Sequence, residues 1–379
     1  MPRPRAELLQ GSRSRRACLR DPFAFQGGRS PFLEGLTHIR PRKPGKEPSR
    51  YISRPFFLLF WEEKGRHGKE VTVLKGILLA GGSGTRLYPL TCAVSKQLLP
   101  VHERPMIYYP LCLLLEAGIR EILVISTPSD VSRYRTLLGD GRRFGGRLSY
   151  AVQPSPDGVA QALLIAKEFV GADAVALALG DNLFLGSRVP LLLREAMERA
   201  EQSGRATVFA CAVRDPERFG VVTLDENGRA LSLVEKPSLP ESDLCVTGLY
   251  VYGADAADQA GALRPSARGE LEISDLNRRY LEAGRLEAVR LPEDMVWLDT
   301  GTPESLYEAS VLVRALEKRT RRLFASPEEI AWRKGWITDR EMRAFAEEIA
   351  SCAYGKALLG LLDGGESREM HKEREVEYR

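Results

Sequence analysis

The sequence predicts an α/β protein with a Rossmann-like, mostly parallel sheet flanked by helices. Three short apolar runs support this class, at 74–80, 121–126 and 174–179, and each has the length and composition of a buried strand. Helical segments separate them along the chain. Strands that alternate with helices favour a parallel sheet covered on both faces.

The remaining elements follow from local periodicity and breaker residues. Helices are predicted at 106–117, from a cap at Asp157 to about residue 169, and at 190–201. Four β-rich runs at 206–213, 220–225, 230–235 and 246–252 are predicted to add strands around a second pocket. After Thr302 the pattern is mostly helical, with candidates at 304–318, 327–336 and 339–352.

These patterns divide the chain into a main domain at 73–302, a helical C-terminal segment at 303–363 and a charged tail at 364–379. A basic extension at 1–72 precedes them, rich in Arg, Pro, Gly and Ser and without a sustained period. Three interpretations of this extension stay open: a disordered tail, a transit peptide, which its acidic residues disfavour, or a stretch that is not naturally translated.

The composition argues against several classes of function. The first 70 residues contain 16 basic and 7 acidic residues, whereas the rest contains 39 basic and 44 acidic residues. The main part is therefore mildly acidic, which disfavours a nucleic-acid partner. No apolar run reaches the roughly 18 residues that a membrane span needs. Six cysteines without a CxxC pair and four scattered histidines argue against a disulfide framework, a zinc site or a histidine-based triad.

The first candidate motif is the glycine-rich run 81–86, which follows the first predicted strand. Glycines let backbone N–H groups approach phosphate oxygens, and a hydroxyl and a cation follow at Thr85 and Arg86. The spacing fits neither a Walker A loop nor a dinucleotide-binding fingerprint. Lys96, one short segment downstream, could neutralise a triphosphate, although alone it is as consistent with a solvated surface lysine.

Two distant aspartates each end an apolar run. Asp181 follows Leu179 and Gly180, and Asp299 follows Trp297 and Leu298. Mg²⁺ usually takes one or two carboxylates together with substrate phosphate oxygens and water. The pair fits that need, although each residue taken singly could equally be a turn or helix cap.

A third group of polar residues lies in the β-rich middle. Glu235 and Lys236 are adjacent, so a carboxylate that suits sugar hydroxyls stands beside a cation that suits a phosphate. Arg268 adds a further cation on a predicted loop. Without other support, a surface ion pair is the better explanation of the Glu235–Lys236 pair.

Taken together and in order, these motifs resemble one family. The runs GGSGTRLYP, SKQLLP, PMIYYPL, QPSPDG, GDN, ERFGVV, EKP, VTGLY, RGELEISDLN and WLDTGT are similar to those of the long-form bacterial glucose-1-phosphate thymidylyltransferases. The resemblance covers roughly residues 74–362. It implies that 73–302 is a nucleotidyltransferase catalytic domain with an inserted sugar-binding β region, and that 303–363 serves oligomerisation or regulation.

The resemblance also implies roles for individual residues. The nucleotide would be bound by Gly81, Gly82, Gly84, Thr85, Arg86, Lys96, Gln97, Gln153 and Gly158, with Gln153 reading the pyrimidine base. The sugar phosphate would be bound by Glu235, Lys236, Val246, Tyr250 and Arg268. Asp181 and Asp299 would be the metal ligands, and Arg86, Lys96 and Lys236 the catalytic cations.

The implied reaction joins dTTP to glucose 1-phosphate with Mg²⁺ as cofactor and yields dTDP-glucose and pyrophosphate, in the supply of dTDP-sugars such as rhamnose. The implied assembly is a cytoplasmic homotetramer. Phe219 stands where the family often has Tyr, which removes a hydroxyl contact. The segment 327–333 matches the family's regulatory region, but Glu116, Leu185 and Pro190 depart from it, so regulation stays open.

Three rival functions remain. A related pyrophosphorylase that uses UTP, CTP or ATP is the nearest, because one methyl group changes binding by only about 1–3 kcal/mol in an apolar pocket. A regulatory subunit that binds nucleotide-sugar without turnover is disfavoured by the presence of both aspartates and the phosphate-binding cations. A dinucleotide-binding oxidoreductase is disfavoured by the bunched glycines.

Overall fold

The computed structural model describes residues 74–364. The predictions for 1–72 and for nearly all of the tail at 364–379 lie outside these residues. The strands, in chain order, are β1 Lys75–Ala80, β2 Pro100–Val101, β3 Arg104–Pro105, β4 Glu121–Ser126, β5 Arg147–Val152, β6 Val175–Leu179, β7 Asn182–Leu185, β8 Ala206–Ala212, β9 Gly220–Leu224, β10 Ala230–Glu235, β11 Leu244–Tyr252, β12 Leu286–Arg290 and β13 Val296–Asp299.

The α-helices, in the same order, are α1 Tyr108–Glu116, α2 Val131–Leu138, α3 Gln161–Ile165, α4 Lys167–Val170, α5 Val189–Ser203, α6 Ala256–Gly261, α7 Ile273–Glu282, α8 Pro303–Thr320, α9 Pro327–Arg333, α10 Asp339–Glu348 and α11 Ala353–Asp363.

The central sheet confirms the predicted fold class. Its strands run in the order β10-β9-β11-β6-β1-β4-β5, with β8 paired to β11 and β12 paired to β8. The pairs β1–β4, β1–β6 and β4–β5 are parallel. Because parallel strands end at one edge, the loops after β1 and β6 lie side by side, where open α/β sheets bind ligands.

The four β-rich runs of the middle region are strands, as predicted, and they extend the central sheet. Strand β11 is antiparallel to both β6 and β8, and β9 is antiparallel to β10. All nine residues of β11 are buried. The inserted β region is therefore continuous with the parallel core, and it brings Glu235 at the end of β10 to the same sheet as Asp181.

Helices cover both faces of the sheet. Along β1, Leu78 and Ala80 belong to the apolar cluster that includes α1 and α5, whereas Ile77 and Leu79 belong to the cluster that includes α3 and α7. Side chains that alternate across a strand and are buried on both sides are typical of a parallel strand between two helical layers.

The predicted helix cap at Asp157 is wrong. Helix α3 begins at Gln161, and Asp157 instead accepts a hydrogen bond from the Gln161 side-chain amide at 2.9 Å. The reason lies at Gly158, whose φ of 107° cannot belong to a helix. The helical run is also interrupted at Ala166, which separates α3 from α4. Helices α2, α6, α7 and α11 and strands β5 and β12 had not been predicted.

The C-terminal segment is helical, as predicted. Capping boxes at Thr302 and Thr338 begin α8 and α10. Helices α9 to α11 enclose a small apolar core of Ala331, Trp332, Ile337, Met342, Ala346 and Leu358. The domain boundary at residue 302 stays a prediction. Among residues 74–364 no helix is both long and apolar enough to cross a membrane.

Candidate active site

The glycine-rich loop leaves β1 at the carboxyl edge of the sheet. Gly81 accepts a hydrogen bond at its carbonyl from the Gln97 side chain at 2.9 Å, and Gly84 accepts one from the Thr91 hydroxyl at 2.9 Å. Gly84 has a φ of 60°, and a Cβ there would approach Thr91 Cγ2 to 2.9 Å. Glycine at position 84 therefore satisfies both the backbone conformation and the close packing of the loop.

Gly82 and Arg86 are the open parts of this loop. No heavy atom lies within 4 Å of the position a Cβ would take on Gly82, which has a φ of 94°. The Arg86 side chain, in the 3-10 turn Thr85–Leu87, is 57% exposed. The loop thus presents open backbone and an exposed cation toward solvent, which suits the binding of phosphate.

Lys96 and Gln97 lie on the neighbouring 3-10 turn Lys96–Leu98. The Lys96 ammonium donates to the Asp181 carboxylate in a short ion pair, and both side chains are largely buried. Gln97 is 1% exposed, and its side-chain oxygen accepts from Ser95 at 2.6 Å and from Tyr134 at 3.3 Å. Gln97 therefore holds the glycine-rich loop, while Lys96 faces the aspartates.

The two aspartates converge, although only Asp181 follows a strand of the central sheet, in the turn after β6. Asp299 ends β13, which forms a separate two-stranded ribbon with β7 and places Asp299 opposite Asn182. Thr300 fixes the arrangement, because its backbone N–H and hydroxyl both donate to the Asp181 carbonyl, at 3.1 and 2.8 Å. Arg86 Nη2 lies 3.9 Å from Asp299 Oδ2.

The charges of this cluster perturb the two carboxyl groups in opposite directions. Burial raises the pKa of Asp181, but the adjacent Lys96 ammonium outweighs burial, so the net pKa lies below the usual range. Burial and the negative charge of Asp181 raise the pKa of Asp299, against the opposing charges of Arg86 and Lys96. Two buried carboxylates this close repel one another, and a divalent cation would relieve that repulsion.

Gln153 and Gly158 form a second wall beside the glycine-rich loop. Gln153 is 5% exposed and donates to the Gly158 carbonyl at 3.2 Å and to the Gln161 side chain at 2.7 Å. A Cβ on Gly81 would lie 2.6 Å from Gln153 Oε1. The structure thus joins the two predicted nucleotide-binding segments, and it adds Gln161, which no motif had indicated.

Glu235, Lys236 and Val246 gather near the end of β10. Glu235 accepts a short hydrogen bond from Ser274 on α7, and Lys236 Nζ lies 3.2 Å from its other carboxylate oxygen. A Cβ on Gly220 would lie 3.2 Å from Glu235 Oε2 and 4.0 Å from Val246 Cβ. A side chain at position 220 would therefore crowd the Glu235 carboxylate.

Lys236 is held in an uncommon backbone conformation. Its φ is 44°, which non-glycine residues rarely adopt, and its backbone N–H donates to the Phe219 carbonyl at 3.0 Å. Tyr250 is buried beneath the same region. Burial raises the pKa of its hydroxyl, and the charges of Glu235 and Asp181 raise it further, so the hydroxyl is within electrostatic reach of both carboxylates.

Arg268 is paired with a residue outside the group of Glu235, Lys236 and Val246. Its guanidinium donates to both Glu272 carboxylate oxygens, at 2.8 and 2.9 Å, and it is half exposed. The Glu235 charge nevertheless contributes to raising the pKa of Arg268, so the two side chains are within electrostatic reach. Since Arg268 is half exposed, water can solvate its guanidinium when it leaves Glu272.

Four further residues border the site. Arg218, in the ERFGVV run, contributes a positive charge that lowers the pKa of Asp299. The Phe219 and Trp297 rings meet edge to face, with centroids 5.1 Å apart. Asn182 accepts from Trp297 Nε1 at 2.6 Å and from the Gly248 backbone at 2.9 Å, which ties the β7–β13 ribbon to β11.

The fold and the site together define a phosphate-binding α/β protein with paired carboxylates at the carboxyl edge of its sheet. The family model described as Nucleotidyl transferase matches residues 75–315. The chain belongs to this nucleotidyl transferase family.

Three individual relatives carry the same enzyme name. The chain is 56% identical to a glucose-1-phosphate thymidylyltransferase of Neisseria meningitidis serogroup A, over 76% of this chain and 99% of the relative. It is 51% identical to one of Xanthomonas campestris, over 78% and 99% of the two chains. It is 48% identical to one of Mycobacterium tuberculosis, over 76% and 99%.

Solved structures agree with the fold. A crystal structure of a Bacillus anthracis protein described as a glucose-1-phosphate thymidylyltransferase, in complex with a sucrose, superposes with a TM-score of 0.60 at 38% identity, over 68% of this chain and 99% of that one. UDP-glucose pyrophosphorylase from Acinetobacter baumannii superposes with a TM-score of 0.54 at 24% identity, over 65% and 94%. The latter likeness supports the fold alone.

Proposed function

We propose that this chain transfers a thymidylyl group from dTTP to α-D-glucose 1-phosphate, which yields dTDP-glucose and pyrophosphate. The observation that carries the proposal is the convergence of Asp181 and Asp299 with Lys96 and Arg86 beside an open glycine-rich loop. The names of relatives that are 48–56% identical support the choice of substrates.

The reaction needs positioning and charge stabilisation more than proton transfer. An oxygen of the sugar phosphate attacks the α-phosphorus of dTTP, the new P–O bond forms, and the bond to the β-phosphate breaks with its electron pair leaving on pyrophosphate. The attacking oxygen is already ionised near neutral pH, since the second pKa of a phosphate monoester is about 6. No side chain is therefore required as a general base.

On the nucleotide side, free backbone groups of the loop and Arg86 would bind the triphosphate, and Lys96 would exchange its contact with Asp181 for a phosphate oxygen. Gln153, fixed by Gly158 and Gln161, would hydrogen-bond the pyrimidine. These groups stabilise charge that develops during the attack, in a partly buried site where such contacts are strong.

On the sugar side, Glu235 would accept hydrogen bonds from sugar hydroxyls, while Lys236 and Arg268 would bind the phosphate. Val246 and Tyr250 would form the floor of this pocket. Arg268 would have to exchange its contact with Glu272 for one with the phosphate, and its half-exposed side chain leaves it room to turn. Bringing two anions together is the main obstacle to the reaction, and cations on both reactants lower it.

The donor set fits Mg²⁺. Among residues 74–364 no group of three or more His, Cys, Asp or Glu converges as a closed metal site. Mg²⁺ commonly takes only one or two carboxylates and fills its remaining positions with phosphate oxygens and water, so Asp181 and Asp299 suffice. When bound, the ion would neutralise charge on the transferring phosphoryl group.

Isotopic labelling of purified full-length protein tests the transfer directly. We expect the label of [α-³²P]dTTP to appear in dTDP-glucose and the label of [γ-³²P]dTTP to appear in pyrophosphate, in equal amounts and only with glucose 1-phosphate and Mg²⁺ present. Transfer of the γ-label to the sugar would instead indicate a kinase and would overturn the proposal.

We further infer that the protein acts as a cytoplasmic homotetramer. Support for the assembly comes from the family resemblance and from the exposed apolar residues Tyr307 and Val311, four positions apart on α8. Light scattering coupled to gel filtration tests it, since a mass near that of one chain would contradict a tetramer. Cell fractionation tests the location, and recovery in the membrane pellet would contradict a cytoplasmic protein.

A further inference from the structure

A short hairpin connects the Lys96–Gln97 turn to the first helix of the fold. Strands β2 and β3 pair antiparallel, with Val101 opposite Arg104. The hairpin is continuous with the turn, because Met106 N donates to the Leu99 carbonyl and Ile107 N to the Gln97 carbonyl, both at 2.9 Å. Any displacement of the hairpin therefore moves the backbone that carries Lys96 and Gln97.

Arg104 in this hairpin is buried in an unusual way. Its side chain is 4% exposed, and among residues 74–364 its Nε has no hydrogen-bond partner. The guanidinium carbon lies 4.0 Å from the centroid of the Tyr354 ring on α11. A desolvated arginine over an aromatic face gains substantially more than an exposed one. Nη1 of the same guanidinium donates to the Glu103 carbonyl at 3.1 Å and lies 3.6 Å from the Glu103 carboxylate. Stacking on Tyr354 is thus the contact that joins this buried cation to the C-terminal helices.

Tyr354 is itself fixed within the C-terminal segment. Its hydroxyl donates a short hydrogen bond to Glu328 on α9 and lies 2.9 Å from the Ser326 hydroxyl. Glu328 is 1% exposed and lies 3.5 Å from Arg143 Nε. Helices α9 and α11 therefore present a rigid aromatic face to the hairpin.

A second contact approaches the hairpin from α8. The backbone N–H of His102 at the hairpin turn donates to the Ser310 hydroxyl at 3.1 Å. His102 Nε2 lies 3.4 Å from Glu317 on the same helix. The hairpin is held at its turn by α8 and at Arg104 by α11, so two separate C-terminal helices fix it.

From this geometry we propose that Arg104, through its stack on Tyr354, is a positioning residue for nucleotide binding. It acts through the hairpin on Lys96 and Gln97, and it touches neither substrate. The inference rests on the proposed function for the roles of those two residues. The C-terminal helices thereby contribute to the nucleotide site, at a distance from it, in addition to any role in assembly.

Kinetics of four variants of the full-length protein test this role. Arg104→Met and Tyr354→Leu remove the stack from either side, and Tyr354→Phe keeps the ring but not its hydroxyl. Arg343→Met removes a surface ion pair with Asp363 that also joins C-terminal helices, and it serves as the matched control. Because small misplacements of binding groups are costly, we expect KM for dTTP to rise about tenfold in the first two variants.

The pattern across substrates separates positioning from general loss of structure. We expect KM for glucose 1-phosphate to stay within about twofold in all four variants, and Arg343→Met to retain the wild-type KM for dTTP. Tyr354→Phe keeps the ring but loses the contact with Glu328, so its KM for dTTP should rise less than that of Tyr354→Leu. Equal changes in both KM values, or a fall in kcat alone, would overturn the inference. If Arg104→Met does not fold, Tyr354→Leu probes the same contact from the half-buried side.

Amide hydrogen exchange separates a failure of this inference from a failure of the proposed function. We expect faster exchange in the peptide covering residues 95–101 in Arg104→Met and Tyr354→Leu, whatever nucleotide the enzyme uses. Unchanged exchange there would overturn the positioning role even if thymidylyl transfer is found. Faster exchange in a protein whose wild type transfers no thymidylyl group would refute only the proposed function.

Discussion

At the scale of single residues, the most informative feature is the asymmetry between Asp181 and Asp299. Both are buried, yet Lys96 favours the ionised form of Asp181, while burial and the Asp181 charge disfavour ionisation of Asp299. The pair therefore carries an electrostatic cost that a bound divalent cation would reduce. We infer that these two carboxylates are the protein ligands of Mg²⁺.

Replacing either aspartate tests that assignment. Asp181→Asn and Asp299→Asn keep the side-chain shape but remove the charge that would bind the ion. We expect kcat to fall by about 10²–10³, in line with the loss of other electrostatic contacts to a transition state. Pyrophosphate release at matched Mg²⁺ concentrations measures the effect. Asp258→Asn, in an exposed ion pair with Lys167, is the control that should retain activity. Near-normal turnover in Asp181→Asn would refute its role as a ligand.

Residues with a local signal could be predicted, and residues that act through long-range contacts could not. Glycines, lysines and aspartates at strand ends indicated a phosphate and metal site from the sequence. Ser274 and Gln161 lie in ordinary helical sequence, and their contacts with Glu235 and Gln153 exist only after the chain has folded. The ion pair between Arg268 and Glu272 likewise depends on a loop conformation that no motif encodes.

At the scale of elements, the loop before α3 shows how one glycine determines a boundary. Gly158 has a φ of 107°, and a Cβ there would lie 2.7 Å from the Leu271 backbone nitrogen. That neighbour cannot retreat easily, because Leu271 N donates to the Asp157 carbonyl and Ala160 N donates to the Leu271 carbonyl. The sequence suggested a continuous helix here because Asp157 is a good cap by type, but tertiary contacts overrule that preference.

Gly158→Ala should therefore be more destabilising than the same change at another glycine of positive φ. Gly284 has a φ of 67° and open space around its Cβ position, so Gly284→Ala introduces backbone strain without a steric clash. We expect the free energy of unfolding to fall by about 1–3 kcal/mol more in Gly158→Ala, because of the added steric clash. Urea denaturation measures both, and equal losses would contradict the packing described around Leu271.

The docking of α9 predicts a pH dependence of stability. Burial raises the pKa of Glu328 above its usual value of 4.5, against the lowering effects of Tyr354 and Arg143. A carboxyl group whose pKa is raised by folding stabilises the protein below its usual pKa, and that contribution is lost as pH rises through the raised value. Glu328→Gln should therefore gain stability relative to wild type as pH rises above 4.5.

Glu341 provides a control of opposite sign. Hydrogen bonds from the Thr338 backbone and side chain lower the pKa of Glu341, so its contribution is present above 4.5 and is lost as pH falls. Glu341→Gln should lose stability relative to wild type over the same rise in pH. Melting temperatures of both variants across the range measure the trend, and parallel curves for the two variants would contradict the burial of an ionisable Glu328.

At the scale of the whole molecule, one continuous sheet carries both halves of the site. The parallel strands β1 and β6 deliver the glycine-rich loop and Asp181, and the antiparallel extension delivers Glu235 and Val246. Alternation of strands and helices was enough to predict the parallel half. The pairing of β7 with β13 joins segments more than 100 residues apart, and such registers depend on packing that local patterns do not contain.

The C-terminal helices also contact the β2–β3 hairpin, near the other end of the described residues. Their helical character followed from periodicity and capping signals, but their contact with the β2–β3 hairpin did not. No sequence motif singled out Arg104, whereas in the structure it is buried against Tyr354. The molecule thus links the far end of the chain to the turn that carries Lys96.

The rate of pyrophosphate release across a matrix of substrates tests the central claim most directly. Glucose 1-phosphate, galactose 1-phosphate and N-acetylglucosamine 1-phosphate would each be combined with dTTP, UTP, CTP, ATP and GTP in the presence of Mg²⁺. The account predicts a dominant rate for dTTP with glucose 1-phosphate, with UTP as the nearest competitor. A dominant rate with another pair would contradict the assigned substrates, and no release with any pair from folded, nucleotide-binding protein would contradict catalysis itself.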